Sequence, residues 1–342
     1  MRIRLFVLVV AACLGVTAAA RAHTGGPGAR EPLAAAETAI FYYPWFGTAA
    51  RDGAYTHWQQ GGSSPPQQIA SDYYPARGPY SSADSLVLAA QMREIAAAGV
   101  STVIVSWWGR GSVEDQRLPR VLALAQLHGL AVAVHVEPYR GRTVGSVATD
   151  IGYLRSVGIV DFYIWASTWL DDADWAGLNE SLSGVRVFAN TNLAGKAAAG
   201  GFDGLYTYDV LLFDGDLFPR LCAQARRLRL LCAPSVGPGY DARRATGDTR
   251  VRSRRDGATY DGMWRGALRS RPDLITVTSY NEWHEGTQIE PARVSRWGYE
   301  SYDGAWGLHG RAAERSYLER TAYWTARFAR ARSHEQRFNQ RR

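Results

Sequence analysis

Beyond its N-terminal segment the sequence has no uninterrupted apolar run long enough to cross a bilayer, which argues against a chain threaded through a membrane by helices. It also lacks a G-x-G-x-x-G after its first strand candidate and any P-loop sequence, so both common nucleotide-binding versions of an open α/β sheet lose support. Cysteine is scarce, three in 342 residues, and none has zinc-site spacing or the partner pattern of a nucleophile. Lysine is nearly absent: the 39 basic residues are almost all arginine, set against 32 acidic ones for a formal charge of +7. Many of these arginines lie in two stretches, 243–255 and 327–342. No nucleic-acid-binding motif accompanies them, so they read as a solvated loop and a charged tail, and no nucleic-acid partner is expected.

What is present begins with MRIRLFVLVVAACLGVTAAARA, which has the three parts of a secretory signal. Arg2 and Arg4 come first, an apolar run follows from Leu5, and Ala20 and Ala22 stand at A-x-A spacing. Residues 1–22 are expected to be cleaved on export, giving a secreted or extracytoplasmic protein. Lipidation at Cys13 ranks second, because the apolar stretch before it is short and more apolar residues follow. Residues 23–37 read as a flexible Gly/Pro/Ala-rich spacer, 38–331 as a single catalytic domain, and 332–342 as a basic C-terminal tail. The exported chain is expected to be a soluble monomer without stable membrane insertion. Cys222 and Cys232 remain in it; their spacing fits a disulfide in an oxidising compartment and fits two buried thiols equally well.

From about residue 38 the chain alternates buried-strand and amphipathic-helix patterns. Strands are expected at 39–45, 102–107, 131–136, 161–165, 185–189, 204–208, 230–234 and 274–279. Helices are expected from Ser81 or Ser82 to Ala98, around 119–128, 147–157, 218–228 and 260–268, with a long last one near 311–330. Eight mostly non-alternating strands separated by helices predict a closed parallel (β/α)8 barrel, the TIM barrel, with a doubly wound open sheet as runner-up.

The eighth strand runs directly into SYNEWHEGTQIE, where Asn281, Glu282, Trp283, His284, Glu285 and then Glu290 crowd behind a buried segment. Active sites of barrels lie where the strands end. The other ends carry Tyr43, Trp45, Trp107, Trp108, His135, Glu137, Tyr139, Trp165, Asn190, Tyr206, Tyr208 and Tyr240. A rim of aromatic platforms beside carboxylates suits a carbohydrate, which offers apolar C–H faces and a ring of hydroxyls. Glu282 and Glu285 are three apart; on a helical turn their Cβ atoms would lie roughly 5–6 Å apart, a spacing that permits the two-carboxylate hydrolysis of a glycoside with retention. A metal cluster is disfavoured, since His284 and Glu285 are adjacent and cannot face one way on a helix.

With SYNEWHEGTQIEPA, the stretches FYYPWFG (41–47), YSSADSLVLAAQM (80–92), SWWG (106–109), HVEPYRGR (135–142) and GFDGLYTY (201–208) resemble glycoside hydrolase family 99. That resemblance covers nearly all of the exported chain. It implies a (β/α)8 barrel that cleaves internal α-1,2-mannosidic bonds with retention, with no metal and no organic cofactor. It further implies that a glutamate, here Glu282, takes the proton of the sugar's own 2-hydroxyl as that oxygen attacks C1 to give a 1,2-anhydro sugar. Glu285 would be the general acid that then activates water. Tyr43, Trp108, His135, Glu137, Tyr139, Tyr206, Asn281 and Trp283 match positions expected to contact an α-mannoside substrate. A cell-envelope glycan-processing enzyme or transglycosylase on the same barrel, and a non-catalytic glycan-binding protein, are the alternatives; two glutamates in the site argue against the last.

Overall fold

The computed structural model describes residues 36–340, so the signal expected at 1–22 and nearly all of the expected spacer lie outside the described residues. Eight barrel strands alternate with eight helices: β1 Glu37–Tyr42, α1 Ser85–Ala97, β2 Thr102–Trp107, α2 Val113–Leu127, β3 Ala131–Val136, α3 Val144–Ser156, β4 Asp161–Ile164, α4 Asp172–Ser181, β5 Arg186–Asn190, α5 Ala194–Ala199, β6 Gly204–Tyr206, α6 Phe218–Arg227, β7 Leu231–Ala233, α7 Ala258–Arg269, β8 Leu274–Val277 and α8 Ser316–Gln340. Each strand pairs in parallel with the next, and β8 returns to pair with β1, Glu37 opposite Leu274. The seam between β7 and β8 is made after Pro234, where Ser235–Val236 takes up the pairing with Thr276 and Val277. The Ser235 N–H meanwhile goes to the Thr207 hydroxyl at 3.0 Å. Proline brings no N–H to a ladder, so the strand changes partners there. The closed barrel expected from the strand pattern is what forms.

Helices cover the outside of the barrel, so the strands are buried on both faces and read as continuous apolar runs: all six residues of β2 and all four of β8 are buried. Inside, aromatic side chains fill the lumen. Phe41 packs against His135 at 4.9 Å and Tyr206 at 5.7 Å, and Tyr163 meets Tyr206 at 5.2 Å. At the N-terminal end Arg186 bridges Asp161 and Glu37 and closes the floor. The C-terminal ends of the strands lie at the far end of the lumen.

Several local expectations change. The cap of α1 is Asp84, whose side chain accepts from the Leu86 N–H at 2.9 Å, while Ser81 accepts from Ala83 in the turn before it. α2 begins at Val113, capped by Ser112, and carries Pro119 within it. The last helix runs on to Gln340, so the segment read as a tail is helical. Cys222 and Cys232 form a disulfide, Cα atoms 5.3 Å apart, tying α6 to β7.

Candidate active site

The chain leaves β8 and folds back on itself over 279–290. The Ser279 N–H donates to the Thr287 carbonyl at 2.9 Å, the Glu290 N–H to that of Tyr280 at 2.8 Å, and the Tyr280 N–H to Phe41 of β1 at 2.8 Å. A turn over Trp283–Gly286, not a regular helix, lies at the tip of this closed loop. Gly286 has φ +62°, and a Cβ there would stand 2.8 Å from the Asp241 carbonyl oxygen, so both the turn and its close neighbour require glycine. The Glu285 carbonyl accepts from the Asp241 N–H at 2.7 Å. Glu282 and Glu285 are thus carried on a short segment pinned at both ends.

Both carboxyls are held above the ordinary carboxylate range. Glu282 is 3% exposed; burial raises its pKa strongly, and the Glu285 charge raises it further. Burial pushes Glu285 up to about 7, with Asp209 and Glu137 adding to the shift. Backbone N–H groups of His284, at 3.1 Å, and of Glu285 oppose this at Glu282 by stabilising its charged form. Two carboxyls that feel each other's charge, one buried and one partly buried, do not ionise together easily, so the pair holds one proton near neutral pH. That is an acid and a base within one site.

Of the other residues singled out in the sequence, Tyr43 and Glu137 join this pair. Burial first, then the charges of Glu137, Glu282 and Glu285, raise the Tyr43 phenol well above its usual value. Ser106 donates to Glu137 Oε1 at 2.8 Å. His135 Nε2 meets the Tyr206 hydroxyl at 2.8 Å, and its Nδ1 lies 3.0 Å from Glu137 Oε1 without hydrogen-bond geometry. Trp108 stands on the rim, 38% exposed. Tyr206, Asn281 and Trp283 show no exposed surface. Asn281 instead clasps the Tyr43 backbone, and the Trp283 indole donates to Glu290 Oε2 at 2.9 Å. The Tyr139 hydroxyl donates to Asp150 and is in hydrogen-bond contact with the Ser146 hydroxyl of α3 at 2.8 Å, which leaves its ring as the part turned to Trp107 and Gly109.

The structure adds residues that the motifs did not single out as contacts. Tyr208, with φ +53°, donates to Glu285 Oε2 at 3.4 Å, is in close hydrogen-bond contact with the Tyr43 hydroxyl, and stacks on His135 at 5.6 Å. Residues 48–79 fold over the mouth and bring His57 flat against Trp45, ring centres 4.4 Å apart. The His57 carbonyl accepts from His284 Nε2–H at 2.6 Å, which fixes the neutral tautomer of a ring whose pKa burial lowers to about 4. Trp45 had a signal, its place at a strand end; His57 had none, because only the path of a long loop delivers it. Among the described residues no group of three or more His, Cys, Asp or Glu side chains could hold a metal ion.

The family model described as glycosyl hydrolase family 99 matches residues 34–330. A glycoprotein endo-alpha-1,2-mannosidase-like protein of Danio rerio is 32% identical over 352 residues, covering 85% of this chain and 78% of that protein. The glycoprotein endo-alpha-1,2-mannosidase of Xenopus laevis is 31% identical over 358 residues, with 86% and 78% covered. Among solved structures, a family 99 endo-alpha-mannosidase of Bacteroides thetaiotaomicron is similar with a TM-score of 0.77 and 30% identity, over 87% of this chain and 98% of that one.

Proposed function

Because the chain belongs to glycosyl hydrolase family 99 and is a glycoside hydrolase, we propose that it cleaves internal α-1,2-mannosidic bonds of mannose-containing glycans with retention, and that Glu282 and Glu285 carry the reaction. What supports this reading is the pair on one pinned turn beyond β8, Glu282 buried and Glu285 partly buried, both with raised pKa values, beside the aromatic side chains of the strand ends.

In the first step Glu282 takes the proton of the sugar 2-hydroxyl while O2 attacks C1. The bond from C1 to the leaving oxygen breaks, and Glu285 gives that oxygen its proton. The product is a 1,2-anhydro sugar. In the second step Glu285, now ionised, takes a proton from water; the hydroxide oxygen bonds to C1, the C1–O2 bond breaks, and Glu282 returns its proton to O2. Two inversions leave the anomeric configuration retained. The reaction needs Glu282 ionised and Glu285 protonated, whereas burial alone favours the proton on the deeper Glu282. A 2-hydroxyl donating to Glu282 adds to the two backbone N–H groups there and moves the proton towards Glu285.

Tyr43, Trp108, His135, Glu137 and the ring of Tyr139 would line the sugar sites, with Tyr206, Asn281 and Trp283 holding the walls from behind. Export is proposed with the same reading: the 1–22 signal pattern and the Cys222–Cys232 disulfide both favour an oxidising compartment. The test is product analysis on α-1,2-linked mannose polymers and glucose-capped mannosides, with Glu285→Gln alongside. Short oligosaccharides of retained configuration from the wild type alone are expected. Equal release by the variant would remove Glu285 from the mechanism.

A further inference from the structure

The arginine-rich stretch 243–255 reads from its charge as a solvated loop, yet one of its members is not solvated. Arg254 is 7% exposed, and its guanidinium lies over three tyrosine rings, 4.5 Å from Tyr73, 4.7 Å from Tyr302 and 4.6 Å from Tyr317. Its Nη2 donates to the Gly286 carbonyl at 2.8 Å and to the Gln288 carbonyl at 2.7 Å. Nε and Nη1 are buried without a hydrogen-bond partner. A buried guanidinium is costly unless something compensates it. Here the compensation is the π faces of three rings and two backbone dipoles, with no carboxylate hydrogen-bonded to it.

Those two carbonyls are not arbitrary. Gly286 follows Glu285 directly, and Gln288 lies on the returning arm of the same loop. The Asp241 N–H, two residues before the same stretch, donates to the Glu285 carbonyl at 2.7 Å. The base of Arg254 is itself rigid: its carbonyl accepts from the Gly257 and Thr259 N–H groups at the start of α7. Gly257 has φ +90°, and a Cβ there would enter the Trp306 ring at 2.3 Å. A fixed fork thus reaches from a helix terminus to the backbone of the turn that bears one of the two site carboxyls.

We propose that Arg254 is a positioning residue for Glu285, setting through the Gly286 and Gln288 carbonyls where that carboxyl points. The inference rests on the reading of Glu285 as general acid. Arg254 touches neither substrate nor Glu285 itself; it removes the freedom of the turn to swing the acid away from the leaving oxygen. A lysine there keeps the charge but has neither the planar fork nor the stacking surface, so the turn loses its second tether.

The experiment compares wild type, Arg254→Lys, Arg254→Gln and Glu285→Gln on two substrates with the same glycone. One has a sugar as leaving group, which needs protonation; the other has an acidic phenol, which does not. A general acid displaced by an ångström loses on the order of tenfold to a hundredfold in rate. Arg254→Lys is therefore expected to lose kcat/KM of that order on the sugar leaving group and to stay within about threefold of wild type in kcat/KM on the aryl substrate, since that ratio ends at departure of the leaving group and excludes the later attack of water. Arg254→Gln, two atoms shorter and uncharged, reaches neither carbonyl and is expected to lose at least as much on the sugar leaving group. An equal loss on both substrates, or failure of both Arg254 variants to fold, would make Arg254 a stability residue and overturn the assignment. If Glu285→Gln itself shows no dependence on the leaving group, the reading of Glu285 fails instead.

Discussion

Asn281 and the backbone of Tyr43 are joined by two hydrogen bonds of opposite sense, 2.8 Å and 3.0 Å, across the seam where β8 closes on β1. The side-chain amide stands in for the next rung of the parallel ladder after the strands have ended. It fixes the last residue before Glu282 against Tyr43, the first residue after β1. Asn281→Ala removes both bonds and leaves a buried N–H and C=O unpaired, at about 1–3 kcal/mol each. Asn281→Asp keeps the acceptor and turns a carboxylate oxygen towards the Tyr43 carbonyl. Both variants are expected to lose stability in denaturant titration and to lose kcat together with it. Wild-type values in both measurements would mean that the seam is held elsewhere.

The pH dependence of kcat/KM reports the free enzyme's pair. Cleavage needs one proton on it, and Glu285 is held near 7 by burial, Asp209 and Glu137. The rate should therefore fall as pH rises through about 7. It should fall again on the acid side as the pair takes up its second proton, and both limbs belong to the pair and not to one residue. In Glu285→Gln, assayed on an aryl glycoside that needs no acid, the alkaline limb should vanish. Persistence of the same limb in that variant would assign it to another group.

Much of this arrangement was legible in the sequence, for identifiable reasons. Parallel strands buried on both faces leave apolar runs such as TVIVSW and AVAVHV that survive as β2 and β3. A strand that runs straight into NEWHE announces a site because polar groups rarely crowd at a buried end without use. The failures have reasons too. α4, DADWAGLNES, buries only Trp175, so its sequence carries no apolar stripe. Pro119 suggested a helix start, but Ser112 caps the helix earlier and the proline is tolerated inside. Arg254 was hidden by its neighbours: a run of charge reads as solvent-facing, and nothing local tells which arginine finds three tyrosines from 73, 302 and 317. His57 likewise depends on the whole path of 48–79.

The same burial that tunes the pair costs stability at alkaline pH. A carboxyl whose folded pKa is raised adds stability below its unfolded value, near 4.5, and loses it as pH rises through the folded value, here about 7 for Glu285. The cost at pH 8 and above is on the order of 3 kcal/mol for this group. Glu285→Gln should therefore be more stable than wild type at pH 8–9 and about equal to it near pH 5. Unfolding free energies across that range check the sign. A difference that does not change with pH would place the carboxyl in solvent.

Behind the turn, four donors converge on one fully buried carboxylate. Arg77 Nε at 2.9 Å and Gln91 Nε2 at 2.8 Å meet Glu290 Oε1; the Tyr80 hydroxyl at 2.7 Å and the Trp283 indole at 2.9 Å meet Oε2. Tyr80 in turn accepts from Asn281 at 3.2 Å, so the network ends beside Glu282. Only a carboxylate accepts on both sides. In Glu290→Gln the amide NH2 must face two of the four donors whichever way it is turned, and Arg77 keeps only Glu94 as a charged partner, at 2.7 Å. A loss of about 3 kcal/mol is expected, as for other buried ion pairs broken from one side. If the NH2 turns to Tyr80 and Trp283, the turn shifts and kcat falls as well; if it turns to Arg77, stability falls alone. Adding Arg77→Met separates the two, because it removes the uncompensated cation and should restore stability without restoring kcat in the first case. Recovery of both together would show that the network supports the fold and leaves the placement of Glu282 to the Asn281 clasp.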